Sequence, residues 1–209
     1  LKIVNNKSKD EAVPYGSMNY IAYTATPYAN VLNEASDKSL FPRDFVVSLK
    51  TSNKYFGPQE IFGGSEEGED GINIIREINQ EDLSIIKKTH QNKNYENELP
   101  KSLKNSLYWF LCGVATMRYW KYNKPVSMLI HTSQNQKDHD KIFELINTWF
   151  KKINQEELLE EASKVWVSEV SQFSKDHFKE QLPNYLTTEE DIRDYPKFED
   201  IKKEILKLR

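Results

Sequence analysis

The residues best suited to chemistry fall in two short segments, each where a β-prone run gives way to hydroxyls. The first is Thr24-Ala25-Thr26-Pro27, which follows Tyr20-Ile21-Ala22-Tyr23. The proline restricts Thr26 to an extended conformation, so the segment reads as a strand and then a turn carrying two short hydroxyls. The second is His131-Thr132-Ser133, which follows the apolar run Val126-Ser127-Met128-Leu129-Ile130 and precedes a helical pattern reaching about Phe150. Strand, polar turn and helix make one α/β unit, and open α/β sheets place ligands at the carboxyl ends of their strands. Hydroxyls there can contact phosphate, although a plain strand-ending turn accounts for Thr24 to Pro27 taken alone.

Acid–base and metal chemistry are less well supplied. Arg43 and Asp44 stand at the entrance of a further candidate strand, Phe45 to Leu49. A metal-dependent nuclease needs clustered carboxylates to hold Mg²⁺ against the scissile phosphate. Asp44 has no Glu-x-Lys partner at a plausible distance, so the pair reads as a turn or an ion pair. Glu66, Glu67, Glu69 and Asp70 lie in the glycine-rich stretch from Gly63 to Gly71, a setting that favours a mobile, solvated acidic loop. His131, Asp138, His139 and Asp140 carry metal-competent atoms but lack zinc spacing. The lone cysteine, Cys112, sits in an apolar stretch and reads as a buried, inert thiol. No catalytic residue and no metal-ligand set is assigned.

Two features could serve nucleic acid. Tyr108, Trp109, Phe110, Tyr119, Trp120 and Tyr122 could stack bases, but their helical spacing favours core packing, with Trp120 and Tyr122 near the helix end. Lys87, Lys88, Lys93, Lys101 and Lys104 form a basic stretch around His90 that could line a phosphate-binding groove or be plain solvated surface. With 29 Lys plus Arg against 32 Asp plus Glu, the net charge of −3 excludes a globally basic surface and leaves room for a local one.

The elements that would position these residues are mostly helical. Leu103, Leu107, Phe110, Leu111, Val114 and Met117 recur at three- and four-residue steps, which predicts a central helix over 102–121. Leu158, Ala162, Val165, Trp166 and Phe173 form one later stripe, and Phe198, Ile201, Ile205 and Leu208 another. Thr187 with Glu190 has capping-box spacing, and Pro196 suits a first helical turn. The longest apolar run, Leu107 to Met117, is short of the roughly 20 residues that cross a bilayer, so no membrane is expected and a cytoplasmic location fits the lone cysteine. A start at Leu1, with no signal-peptide pattern behind it, reads as an internal piece of a larger protein.

Several segments, in order, resemble the Z-one (Z1) domain family, a restriction-associated bacterial branch of the superfamily II helicases whose members are described as candidate endonucleases. They are Tyr20-Ile-Ala-Tyr-Thr-Ala-Thr-Pro-Tyr-Ala-Asn-Val-Leu-Asn-Glu34, Leu40-Phe-Pro-Arg-Asp-Phe45, Tyr55-Phe-Gly-Pro58, Leu99-Pro-Lys-Ser-Leu103 and Ser127-Met-Leu-Ile-His-Thr-Ser133. The resemblance covers roughly residues 18 to 150 and leaves the later helices unassigned. It implies that Thr24, Ala25, Thr26 and Pro27 are similar to motif III, which couples nucleotide state to nucleic-acid contact. It implies that Thr132 and Ser133 are similar to motif IV and touch the nucleic-acid backbone.

The fold so implied is a helix-rich α/β chain with partial RecA-like, P-loop helicase-like elements and an α+β insert. Residues 1–27 would end a first RecA-like domain, 28–125 would form the insert or linking region, and 126–209 would begin a second domain with a helical extension. The G-x-x-x-x-G-K-[ST] loop and acidic motif that such a motor needs for phosphates and Mg²⁺ are not in the sequence. ATP and Mg²⁺ are therefore expected of the full-length parent only, with neither bound by this piece alone. The expected partners are DNA and other restriction-system subunits, in a restriction or phage-defence role. A metal-dependent endonuclease in its own right and a helical partner-binding module over 155–208 are the alternatives.

Overall fold

The computed structural model describes residues 21–26, 45–50, 52, 55–64, 70–91, 98–182 and 192–209. The chain divides into two units, 1–51 and 52–209. In the first, the described residues 21–26 and 45–50 are exposed and belong to neither helix nor strand.

In the second unit the described residues form seven helices. They are α1 (Pro58–Phe62), α2 (Gln80–Gln91), α3 (Lys101–Tyr119), α4 (Gln136–Lys152), α5 (Gln155–Gln172), α6 (Lys175–Gln181) and α7 (Phe198–Lys207). The central helix expected from the three- and four-residue spacing is α3. Its apolar face divides its packing between two clusters. Tyr108, Cys112 and Ala115 meet Ile153, Leu158, Ala162, Trp166, Ile201 and Ile205, which joins α3 to α5 and α7. Leu99, Leu103 and Leu107 meet Ile142 and Leu145 of α4. Trp149 borders both clusters, and its ring stands edge-on to Tyr108 at 5.4 Å. Cys112 is fully buried, its thiol donates to the Ala162 carbonyl at 3.7 Å, and burial pushes it up to about 12, as expected for an inert thiol.

Helix starts are fixed by identifiable acceptors. The Asn79 side chain accepts the Asp82 N–H at 2.7 Å at the start of α2. The Asp82 carboxylate in turn accepts the Lys101 and Ser102 N–H groups at 3.2 and 2.8 Å, so one buried acid of α2 caps the first turn of α3. Asn154 caps α5 by accepting from the Glu157 N–H at 2.9 Å. Pro196 stands just before the cap position Lys197 of α7 rather than inside its first turn, and Thr187 and Glu190 lie outside the described residues.

The expected α/β class is overturned. Among the described residues there is no strand and no sheet, only one isolated antiparallel bridge between Gly63 and Asp70. Among the described residues no sheet stands for the RecA-like elements expected at 1–27 and 126–209, nor for the α+β insert expected at 28–125. The segment 126–130 is non-helical, with Val126, Met128 and Ile130 half-buried and Ser127 and Leu129 exposed, which is the two-residue alternation of a strand. Its backbone nevertheless has no ladder partner among the described residues. A β-prone sequence supplies one side of a pairing, and a strand exists only when a second backbone supplies the other. Here Met128 and Ile130 pack on the α3–α4 cluster instead.

Candidate functional site

The Thr132–Ser133 turn lies between that extended segment and the first turn of α4, and a polar network fixes it. The Ser133 hydroxyl donates to Asp138 Oδ2 at 2.7 Å and accepts the Asn135 N–H at 3.1 Å. Asn135 Nδ2 adds a longer bond of 3.4 Å to the same carboxylate oxygen. Asp138, in the opening turn of α4, therefore holds the turn from the helix side. Its carboxyl is kept below the usual carboxylate range, first by the Ser133 hydrogen bond and then by Asn135 and the charges of His90 and Lys141, against the upward push of burial.

Helix α2 reaches the same place. His90 Nε2 lies 3.3 Å from Thr132 Oγ1, and Lys141 Nζ donates to the His90 carbonyl at 2.7 Å while lying 3.7 Å from Asp138 Oδ1. A lysine on a carbonyl of the last turn of α2 complements the negative end of that helix. The network thus ties α2, the turn and α4 together. Thr132 and Ser133 are half-buried with their hydroxyls engaged, whereas His131, Gln134, Asn135, Gln136 and Lys137 are exposed. Polyanion contact at this turn would fall to the exposed His131 and Lys137 before the two hydroxyls.

Thr24 and Thr26 are exposed, and the Thr26 N–H donates to Thr24 Oγ1 at 3.1 Å, a local turn bond. Ala25 is exposed between them, and Pro27, Arg43 and Asp44 lie outside the described residues, as do Glu66, Glu67 and Glu69. His131 and His139 stand with ring centroids 5.2 Å apart. Among the described residues no group of three or more His, Cys, Asp or Glu side chains could hold a metal ion, and no helix is long and apolar enough to cross a membrane. Of the network, Lys141 was not legible in the sequence, because its partner His90 is remote along the chain. Asn135 carried a readable signal, an N-cap residue type just before a helical pattern.

The family model of the Z1 domain matches residues 102–208, just over half of the chain. The chain belongs to the Z1 domain family. The match runs from the start of α3 to the end of α7, so it takes in the Thr132–Ser133 turn and the C-terminal helices that the sequence motifs left unassigned. It stops short of the Tyr20–Pro58 segments, whose resemblance rests on their motifs. Comparison of this Z1 chain with curated proteins and with solved structures returns no match.

Proposed function

We propose that this Z1 chain is the nucleic-acid-contacting part of an ATP-driven, helicase-like protein serving a restriction or phage-defence system in the bacterial cytoplasm. The observation that carries the reading is a charge segregation. From Leu99 to Lys137 the chain has no Asp or Glu and carries Lys101, Lys104, Arg118, Lys121, Lys124 and Lys137, although its net charge is −3. Lys104 is paired with Glu98 at 3.5 Å, while Lys101, Lys121, Lys124 and Lys137 are exposed, so the stretch offers a polyanion cations that the net charge alone does not.

In this reading ATP and Mg²⁺ are handled by the larger protein, and other restriction-system subunits assemble with it. Thr24, Ala25, Thr26 and Pro27 couple nucleotide state to DNA contact, and the Thr132–Ser133 turn meets the nucleic-acid backbone. The test is a titration of the chain with labelled DNA at rising salt. If about three phosphates of a single strand are neutralised, log affinity falls with log salt at a slope of about −2, close to a 20-fold loss between about 50 and 200 mM salt. Absent or salt-independent binding would contradict the reading.

A further inference from the structure

The C-terminal end of α3 departs from the usual chemistry of helix ends. The Tyr122 N–H donates to the Met117 carbonyl at 2.8 Å and the Lys121 N–H to the Arg118 carbonyl at 2.9 Å, which is the Schellman arrangement. The residue after the cap must then take a left-handed backbone, where glycine is favoured because a Cβ is strained. Lys121 holds that position with φ of 65°, and among the described residues no other non-glycine residue has positive φ. Strain kept where glycine would remove it points to a task for the side chain.

The surroundings indicate the task. Arg118 Nη1 donates to the carbonyl oxygens of Tyr122 and Lys124, locking the turn from inside. The Arg193 guanidinium lies 5.5 Å from the centre of the half-buried Trp120 ring and holds it. Tyr119 and Tyr122, on either side of that ring in sequence, are 44% and 46% exposed, and Lys121 and Lys124 are exposed beside them. Among the described residues none of Arg118, Lys121 and Lys124 forms an ion pair. With Arg118 engaged inside the turn, Lys121 and Lys124 are exposed cations without an ion-pair partner among the described residues, interleaved in sequence with the part-exposed rings of Tyr119 and Tyr122.

We propose that the Arg118–Lys124 turn binds single-stranded nucleic acid, with Lys121 and Lys124 on phosphates and Tyr119 and Tyr122 stacking bases. The inference rests on the nucleic-acid reading above and adds to it a place and a strand form. Stacking needs bases whose faces are open, which a single strand provides and a duplex withholds. An acidic peptide would satisfy the lysines and leave both rings without a planar partner.

The deciding experiment follows binding of a labelled oligothymidylate to the full chain by fluorescence anisotropy, comparing wild type, Tyr119→Leu with Tyr122→Leu, and Lys121→Gly. Each stacked base is worth about tenfold or more in affinity, so the tyrosine pair is expected to weaken binding on the order of 100-fold. Lys121→Gly is expected to weaken binding several-fold and flatten the salt slope by about 0.7, while raising the thermal midpoint because the backbone strain is relieved. If circular dichroism shows the tyrosine variant misfolded, Lys121→Gly decides alone. Both variants binding like wild type, or polyglutamate competing as well as the oligonucleotide, would overturn the assignment to this turn and leave the wider reading standing. A wild-type chain that binds no oligonucleotide would overturn both.

Discussion

Trp166→Ala is expected to destabilise the helical unit by about 3–5 kcal/mol, the range for truncating a buried large aromatic. Trp166 is 3% exposed on α5, its ring is 5.3 Å from that of Trp109 on α3, and it stands edge-on to Tyr195 at 5.4 Å, just ahead of α7. Trp109 and Tyr195 also stand edge-on to each other at 6.3 Å, so removing the indole takes away one corner of a three-ring contact. Neighbours as large as these cannot close over the void without leaving their rotamers, so the cavity cost adds to the lost burial. Since a domain has only about 5–15 kcal/mol in hand, the variant should lose a large part of its margin. Urea unfolding followed by far-ultraviolet circular dichroism checks this, with a lower midpoint at unchanged slope expected. A loss under about 1 kcal/mol would show that the α3–α5–α7 cluster is not what holds the unit.

Asp82→Ala is the second large effect, at about 2 kcal/mol. One substitution removes the acceptor of two amide donors at the start of α3, and charged caps of this kind exceed the usual 1 kcal/mol of a neutral one. Burial pushes the Asp82 carboxyl up, but the hydrogen bonds from Ser102 and Lys101 and the Lys101 charge more than offset this and hold it below its ordinary value. A carboxyl lowered by folding contributes stability that is fully present above its unfolded value, near 3.9, and is lost as pH falls through the lower folded value. The gap between wild type and Asp82→Asn should therefore be constant at neutral pH and shrink below about pH 4. A gap that widens on acidification would contradict the role assigned to Asp82.

What was legible in the sequence followed from local periodicity. The stripe from Leu103 to Met117 gives α3, and Leu158 with Trp166 and Ile201 with Ile205 mark faces that are buried in α5 and α7. These signals survive because a helix satisfies its own backbone, so its sequence needs no remote partner to be read. The strand expectations failed for the converse reason. Val126 to Ile130 shows the alternation of a strand, yet the described chain supplies no second backbone beside it. At the candidate site, Thr132 and Ser133 were visible as hydroxyls after an apolar run. Their engagement by His90 and Asp138 was not, since His90 is 42 positions from Thr132. The Lys121 turn was equally hidden, because a lysine gives no local sign of a left-handed backbone where glycine or asparagine is the usual marker.

The central claim, a nucleic-acid-directed ATP-driven machine, is tested most directly by ATP turnover of the full-length protein with and without DNA. Wild type is compared with Thr26→Ala, and this Z1 chain alone serves as the control. DNA-stimulated turnover that is lost in Thr26→Ala, with the chain alone silent, is the predicted result. Turnover indifferent to both DNA and Thr26 would contradict the account.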